Sequence, residues 1–338
     1  MKKSVIIGIV VGVIVLGVIG FFLLGADRDE RVDDIEQGDV EQTSMEEEET
    51  ESVEPSDLTQ LTFFTEQEGK AVDPDWGIDG SQVVFCLMKG GLDDAEIYLV
   101  NADGTGLTKI GLGLDPSWSP VEDKIAYSSN NQIYTMNSNG DGIAQLTTEF
   151  SSGSPSWNPD GTKITYTYYE DGKASVWVMN SDGTGKISLT TSSDGEYSLP
   201  SFSYDGSKII YVKGPTWNTQ LEMFPTKLNE IWIMNSDGSN KHMIYTPEDS
   251  FQWPFQRAWN KNNKILFMKN GISRELPEMF VINSDGTNPK QMVSPTYSSG
   301  RPDYFYLDPV WDNTYTKVVA VRMIIDGAQN VVTFSWTE

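Results

Sequence analysis

The 338-residue chain has one cysteine, Cys86, one histidine, His242, and only 24 basic residues against 49 acidic ones. A single cysteine excludes an intrachain disulfide, and a single histidine in a predicted turn region disfavours Ser-His-Asp or Cys-His catalysis. The formal net charge of −25 disfavours nucleic acid as a partner, because its phosphates would be repelled. The sequence has no GxSxG, HExxH or CxxC motif, so it predicts neither a metal site nor a cofactor.

The N-terminal part of the chain has two segments of opposite character. Residues 4–25 carry no charge and are long enough, at about 1.5 Å per residue, to cross a hydrocarbon core of about 30 Å. They predict an uncleaved transmembrane anchor at residues 1–25, with a cleaved signal peptide as the alternative. Lys2 and Lys3 would keep the N-terminus in the cytoplasm. Residues 26–57 hold 15 acidic and two basic residues, which predicts a disordered linker.

From residue 58 onward the sequence repeats a module of about 40 residues. Each module has four β-prone runs separated by Pro, Asn, Asp and Gly turn chemistry, and its third run, such as EIYLVN or SVWVMN, precedes a turn of the NSDG type. An aromatic residue opens each module, at Trp76, Trp118, Trp157, Phe202, Trp259 and Trp311. This period is that of one propeller blade. The sequence therefore predicts an all-β domain: a six-bladed β-propeller of four-stranded antiparallel blades.

The two ends of this domain complement each other. Residues 58–62 (LTQLT) match the fourth run of other modules, such as AQLTT and ISLTT, but stand before the first module. The sixth module ends after its third run. We therefore predict that residues 58–62 close the last blade, which would bury two open sheet edges. The domain organisation is then anchor 1–25, linker 26–57 and propeller 58–338.

The repeated motif resembles that of a known family. PSWNPDGTKITY from Pro155, PSFSYDGSKIIY from Pro200 and PSWSPVEDKIAY from Pro116 are similar to the TolB-type, WD-repeat-like β-propeller family. The resemblance covers residues 58–338, although the first hairpins of modules 5 and 6 depart from it. It implies the fold strongly and the function weakly, because propellers carry many functions.

Long, dissimilar loops are predicted at one end of the propeller, within residues 213–229, 246–254 and 294–308. They are rich in aromatic side chains, which commonly anchor peptides, sugars and protein partners. The predicted ligand-binding residues on these loops are Trp217, Trp253, Tyr297, Arg301, Tyr304 and Tyr306. The alternative is that most of these rings pack beneath the loops as small cores.

Three Asp-Pro pairs, at Asp73, Asp115 and Asp308, are predicted just before first strands and would face the same channel mouth. Together they could bind a cation or an amine; the alternative is that each Asp caps its own turn. The NSDG segments lack the further carboxylates of a calcium loop and are predicted to be hairpin turns.

These features favour a membrane-tethered, extracytoplasmic binding module over an enzyme, on the outer face of a prokaryotic membrane. Its expected partner is a protein segment or a cell-envelope polymer, and its contact with the membrane is the N-terminal helix. One alternative is an envelope enzyme that acts on polysaccharide through paired Asp or Glu at the mouth. Another is a structural spacer whose channel is plugged by the loop of Trp217.

Overall fold

The computed structural model describes residues 57–91, 94–191, 195–214, 230–246, 250–271, 278–293, 296–298, 301–312, 317–324 and 329–335. The predicted anchor and nearly all of the predicted linker lie outside these residues. Within them every regular element of any length is a strand, and none is a helix that could cross a membrane.

The strands are numbered along the chain and fall into four sets. The innermost strands are β2 (Lys70–Trp76), β6 (Leu114–Trp118), β10 (Ser151–Trp157), β14 (Glu196–Phe202), β18 (Ser250–Trp259) and β23 (Arg301–Trp311). The second strands are β3 (Gln82–Met88), β7 (Ile125–Ser129), β11 (Lys163–Glu170), β15 (Lys208–Gly214), β19 (Lys264–Gly271) and β24 (Lys317–Ile324).

The remaining strands lie farther from the axis. The third strands are β4 (Glu96–Asn101), β8 (Gln132–Met136), β12 (Lys173–Asn180), β16 (Glu230–Asn235), β20 (Glu278–Asn283) and β25 (Gln329–Ser335). The outermost strands are β5 (Thr108–Leu112), β9 (Ala144–Gln145), β13 (Ile187–Ser188), β17 (His242–Tyr245), β21 (Lys290–Val293) and β1 (Thr59–Gln60). A short extra strand, β22 (Thr296–Ser298), pairs with β23.

The pairing pattern divides the described strands into six blades. Four sheets have four strands each, and a nine-stranded sheet combines two blades that are joined by one parallel contact, Lys70 with Gln329. Within every blade the strands are antiparallel. Each innermost strand contacts that of the next blade, and β23 contacts β2, so the blades close into a ring. The all-β propeller predicted from the repeat is confirmed.

The repeated aromatic residues explain how neighbouring blades adhere. Each is the last residue of its innermost strand, and all six are buried. Trp157, for example, packs with Ile133 and Leu146 of the preceding blade as well as with Ile164 and Tyr166 of its own. The Trp157 indole Nε1–H also donates to the Ser117 carbonyl of the preceding blade (3.1 Å). Burial of these large rings between sheets supplies much of the driving force for the ring.

Strand β1 occupies the outermost position of blade 6. Thr59 pairs with Thr333 and Gln60 with Val332 of β25, and the Leu61 N–H donates to the Val331 carbonyl (2.8 Å). Leu61 is buried, and Gly104 of blade 1 lies against its backbone, where a Cβ would come within 3.4 Å of the Leu61 oxygen. Gly183 of blade 3 lies in the same way against the backbone of Leu146, which directly follows the outermost strand of blade 2.

The Leu-Thr pair of each fourth run has a specific role in the ladder. The Thr147 hydroxyl accepts the Ile133 N–H (2.8 Å), and the Thr190 hydroxyl accepts the Val176 N–H (2.9 Å). In blade 6 the Thr62 hydroxyl accepts the Val331 N–H (2.9 Å). The hydroxyl therefore extends the hydrogen bonding beyond the end of a very short outermost strand.

We expect Thr147→Ala to lower the free energy of unfolding by about 1–2 kcal/mol, because the buried Ile133 N–H loses its acceptor. The neighbouring variant Thr148→Ala is the control, since Thr148 is exposed and should change stability by less than about 0.5 kcal/mol. Denaturant unfolding of both variants measures the difference, and equal values would contradict this role for the hydroxyl.

The turns after the innermost and third strands lie side by side on one face of the propeller. The Ser181 N–H donates to the Thr162 carbonyl (2.9 Å), and the Ser236 N–H donates to the Ser207 carbonyl (2.9 Å). We call this the short-turn face. The opposite face carries the connections between blades and the turns after the second strands, and we call it the long-loop face.

Candidate functional site

A bulge interrupts the innermost strands three residues before the terminal aromatic. The register shifts there in blades 1, 2, 3, 4 and 6, and the residue at the shift has a left-handed backbone. These residues are Asp73 (φ 50°), Asp115 (φ 50°), Ser154 (φ 50°), Leu199 (φ 53°) and Asp308 (φ 49°), and a proline follows each. Proline has no N–H to donate, so it breaks the ladder, and left-handed backbone is uncommon outside glycine.

The bulge residues of neighbouring blades are tied together. The Asp73 N–H donates to Asp308 Oδ2 (3.3 Å), which joins blade 1 to blade 6. The Ser154 N–H donates to Asp115 Oδ2 (3.1 Å), which joins blade 3 to blade 2, and the Ser128 hydroxyl also donates to this oxygen (3.1 Å). Two of the three carboxylates therefore satisfy backbone groups of the following blade rather than of their own turn.

The third carboxylate, that of Asp73, receives no hydrogen bond from any described residue. Burial, followed by the charges of Asp308 and Asp115, raises its pKa well above the usual value. Burial also raises the pKa of Asp308 to about 6 and, against two hydrogen bonds, raises that of Asp115. Ionisation is therefore least favourable at Asp73, where burial and two neighbouring carboxyls act together.

The groups around this cluster keep their protons. Burial, then the charges of Asp115 and Glu196, raise the pKa of the Tyr169 phenol. Burial, then Asp73 and Asp115, raise the pKa of the Cys86 thiol, which donates to the Gly113 carbonyl (Sγ–O 3.4 Å). The free cysteine is therefore a protonated core residue, in agreement with its place in strand β3. The site can attract a cation but offers no thiolate nucleophile.

A family profile described as the TolB beta propeller domain matches this sequence at residues 52–259 and 116–296, which together cover well over half of the chain. The chain belongs to the TolB β-propeller family.

Individual TolB proteins show more limited similarity. The TolB homolog of Chlorobium luteolum is 30% identical over 150 residues, which are 42% of this chain and 34% of that protein. The Tol-Pal system protein TolB of Francisella tularensis subsp. mediasiatica is 33% identical over 75 residues, 22% of this chain and 17% of that protein. The chain thus spans about a third or less of these relatives.

Solved TolB structures share the fold. The putative TolB of Agrobacterium tumefaciens aligns with a TM-score of 0.55 and 19% identity, over 80% of this chain and 91% of that one. TolB of Acinetobacter baumannii aligns with a TM-score of 0.53 and 16% identity, over 78% and 65%. An oligogalacturonate lyase in complex with manganese aligns with a TM-score of 0.50 and 14% identity, over 85% and 96%.

In this TolB-type propeller, Asp73, Asp115 and Asp308 come together, but not where the sequence analysis placed them. They lie within the innermost strands rather than just before them, because the Asp-Pro bulge looks like a strand end in a linear pattern. The interpretation that each Asp caps its own turn does not account for the inter-blade hydrogen bonds of Asp115 and Asp308. A recurring signal was available: D-P-D-W, D-P-S-W, S-P-S-W, L-P-S-F and D-P-V-W share one register.

Of the predicted ligand-binding residues on the loops, only Tyr306 has a side chain in the described part of the structure. Tyr306 is 3% exposed and packs edge to face against Phe334, with 5.8 Å between ring centroids, so it is a core residue of blade 6. Trp253, Tyr297, Arg301 and Tyr304 lie on strands β18, β22 and β23, but their side chains fall outside the described part, as does all of Trp217. Their predicted role at the mouth stays a prediction.

The other candidates of the sequence analysis lie on the short-turn face or the outer edge. In the NSDG turn of blade 3, Asp182 Oδ1 accepts the Thr184 N–H (2.9 Å) and hydroxyl (2.6 Å), which is the geometry of a structural turn. His242 is exposed on strand β17, with Nδ1 2.9 Å from the Asn240 carbonyl. Among the described residues, no group of three or more His, Cys, Asp and Glu side chains is arranged to hold a metal ion.

Proposed function

We propose that this chain is a membrane-tethered, extracytoplasmic propeller that binds a segment of another protein and catalyses no reaction on it. Asp73, Asp115 and Asp308 receive a Lys or Arg side chain of that segment. The observation that carries this proposal is the Asp73 carboxyl, which lies half-buried beside Asp308 and Asp115 and receives no hydrogen bond from any described residue. Groups with strongly shifted pKa values concentrate at functional sites, and a cationic side chain would relieve the repulsion.

Family membership supports a protein partner over a polymer. Relatives carry the name Tol-Pal system protein, which assigns them to a system with other protein components. The net charge of −25 and the acidic cluster favour a basic segment and disfavour nucleic acid or another anionic polymer. The long-loop face, with the aromatic residues predicted on it, would supply the apolar part of the contact.

The proposed tether rests on the sequence of residues 1–57. The apolar segment 1–25 would anchor the chain, and the acidic linker 26–57 would lead directly into the propeller. Asp57, at the end of the linker, accepts the Ser335 N–H at 2.9 Å, next to the pairing of β1 with β25. The propeller would then lie outside the membrane, attached through its closing strand.

An enzyme acting on polysaccharide is less well supported by the described carboxyls. Such chemistry needs two carboxyl groups that are available to substrate. Here Asp115 and Asp308 accept backbone N–H groups, and only Asp73 lacks a described hydrogen bond. The similarity to oligogalacturonate lyase concerns the fold alone.

The proposal is tested with the full chain in a mild non-ionic detergent, used to capture partners from solubilised envelopes. The affinity for the main captured protein is then measured for the double variant Asp73→Asn/Asp308→Asn. We expect at least a tenfold loss, because an unpaired buried charge at an interface costs about 2–5 kcal/mol. A triple variant, Trp217→Ala/Trp253→Ala/Tyr304→Ala, should also bind more weakly if the aromatic loops contribute.

The control is Asp103→Asn/Asp182→Asn, which removes two charges from the short-turn face. It should change the affinity less than threefold. Equal losses in the control and in Asp73→Asn/Asp308→Asn would contradict the proposal, and so would undiminished capture by Asp73→Asn/Asp308→Asn. Release of sugar fragments from envelope polysaccharide, abolished by Asp73→Asn, would show the enzyme instead.

A further inference from the structure

The short-turn face carries a repeated surface feature around its opening. In four consecutive blades, the turn after the innermost strand presents an apolar residue followed by an acidic one. These pairs are Ile78-Asp79 in blade 1, Val121-Glu122 in blade 2, Pro159-Asp160 in blade 3 and Tyr204-Asp205 in blade 4. Blade 5 departs from the pattern, with Lys261 in the corresponding turn. We call the four pairs the apolar-acidic arc.

The apolar members of the arc are accessible. Ile78 is 38% exposed, Val121 is 55% exposed and Tyr204 is 47% exposed. Single exposed apolar residues need no explanation, but these lie in the same turn of blades 1, 2 and 4, with Val121 one position later in its turn than Ile78 and Tyr204. Exposed apolar groups in one connected region commonly mark an interaction site.

The arc is continuous through blades 2 to 4. The Val121 side chain lies directly on Gly161 of the blade 3 turn, so that any Cβ at that glycine would collide with it. Gly206 of the blade 4 turn lies against Pro159 of blade 3, whose Cδ would be 3.4 Å from a Cβ placed there. Neighbouring turns therefore form one surface rather than separate projections.

The three aspartates of the arc have lowered pKa values. Hydrogen bonds from the Ser81 hydroxyl and N–H lower the pKa of Asp79, and those from Thr162 lower that of Asp160. Hydrogen bonds from the Ser203 hydroxyl and the Ser207 N–H lower the pKa of Asp205. All of these bonds to described residues end on Oδ1, which leaves Oδ2 as an acceptor for a cationic group.

We propose that the apolar-acidic arc docks a basic protein segment in which Lys or Arg residues alternate with apolar side chains. The apolar residues would contact Val121 and Tyr204, while the cations would meet the carboxylates of Asp79, Asp160 and Asp205, since Glu122 is already paired with Lys124 (3.4 Å). Charge complementarity selects this occupant, because a second copy of the chain would place the same acids opposite each other. An anionic lipid surface or polymer would be repelled in the same way. This surface is separate from the carboxyls of Asp73, Asp115 and Asp308, which we call the axial site.

The test is photo-crosslinking of the full chain in non-ionic detergent, followed by mapping of the adducts. The probe is a nine-residue peptide that alternates Lys with Leu and carries one benzophenone side chain. We expect adducts in the turns at residues 77–81, 119–124, 158–162 and 203–207. Matched peptides with Ser in place of Leu, or Glu in place of Lys, should give at least tenfold fewer adducts there.

Two variants of the arc should each reduce these adducts at least tenfold: Val121→Ser/Tyr204→Ser and Asp79→Asn/Asp160→Asn/Asp205→Asn. The matched control is Asp103→Asn/Asp182→Asn/Asp237→Asn, which changes carboxylates of the same turn chemistry after third strands and should have less than a threefold effect. Thermal unfolding of each variant verifies that it is folded. Asp73→Asn should leave the adducts unchanged, which separates this surface from the axial site.

Several results would overturn the proposal. Equal labelling by the Lys-Ser peptide would show that the apolar residues do not contribute and that the peptide is held only by general electrostatic attraction. An equal loss in the control variant would show that no particular acids are involved. Labelling by the Glu-Leu peptide would show that binding at the arc does not require positive charge on the peptide. A concentration-dependent dimer that the arc variants dissociate would assign the surface to a second copy instead.

Discussion

Deleting residues 58–62 is expected to remove the cooperative unfolding transition of the propeller or to lower its melting temperature by more than about 10 °C. The deletion exposes the edge of β25 and removes Leu61, which is 2% exposed. It also removes the hydrogen bonds from the Leu61 N–H to Val331 and from the Val331 N–H to Thr62. One buried leucine is worth about 2–5 kcal/mol and each hydrogen bond about 1 kcal/mol, which together approach the stability of a whole domain.

The matched deletion removes residues 26–55, which precede the contact of Asp57 with Ser335. It should leave the melting temperature within about 2 °C of the parent chain. Thermal unfolding followed by circular dichroism measures both. Equal melting temperatures for the two deletions would mean that strand β1 does not hold the ring together.

A pair of point substitutions tests the same closure without changing chain length. Leu61→Ala should lower the free energy of unfolding by about 2–5 kcal/mol, because a buried side chain leaves a cavity. Phe63→Ala removes a larger ring that is 76% exposed and should change stability by less than about 0.5 kcal/mol. A larger effect at Phe63 than at Leu61 would reverse our assignment of which residue closes the blade.

Asp73→Asn is expected to stabilise the free protein at pH 7–8, with a rise in melting temperature of about 5 °C. Burial and the neighbouring carboxyls raise the pKa of Asp73 in the folded state, so ionisation opposes folding. Below about pH 4 the carboxyl is protonated in both the folded and the unfolded chain, and the penalty disappears. As the pH rises through the raised pKa, the parent chain loses stability that the Asn variant keeps.

Melting temperatures of Asp73→Asn and the parent chain between pH 4 and pH 8 measure this difference. Asp79→Asn is the control of opposite sign, because hydrogen bonds from Ser81 lower the pKa of Asp79. The stability that Asp79 contributes is present above its unfolded pKa and is lost as the pH falls. A constant difference between Asp73→Asn and the parent at all pH values would contradict the repulsion between the axial carboxyls. Destabilisation at pH 8 would contradict it as well.

The opposed effects of Asp73 on stability and on proposed binding are physically linked. A carboxyl that weakens the free protein can be tolerated when a ligand pairs with it, and functional sites commonly carry such a cost. If the proposal holds, the Asp73→Asn variant unfolds at a higher temperature than the parent chain and binds the partner protein more weakly. A purely structural carboxyl would show the reverse behaviour, since its removal would leave a donor without an acceptor.

The fold was accessible from the sequence because its determinants are local and repeated. The alternation of apolar and polar residues predicts strands, and the NSDG and NPDG segments predict the turns between them. The aromatic residues from Trp76 to Trp311 recur once in each module, and in the structure each one ends an innermost strand. The location of individual binding-site side chains was harder to predict from the sequence. Tyr306 shows why: it was predicted on a long loop, but it is a buried residue of an innermost strand, and the local sequence pattern is the same in both cases.

The sequence by itself determined that this chain forms a propeller and how many blades it has, because each blade is specified by short-range patterns. Only the tertiary structure decided that Asp73 and Asp308, 235 residues apart, share a hydrogen bond and that Asp115 adds its charge to theirs. The physical reason is that their proximity exists only after the ring has closed. The bulge at Asp73 depends equally on the neighbouring blade, because the Asp308 carboxylate accepts the Asp73 N–H.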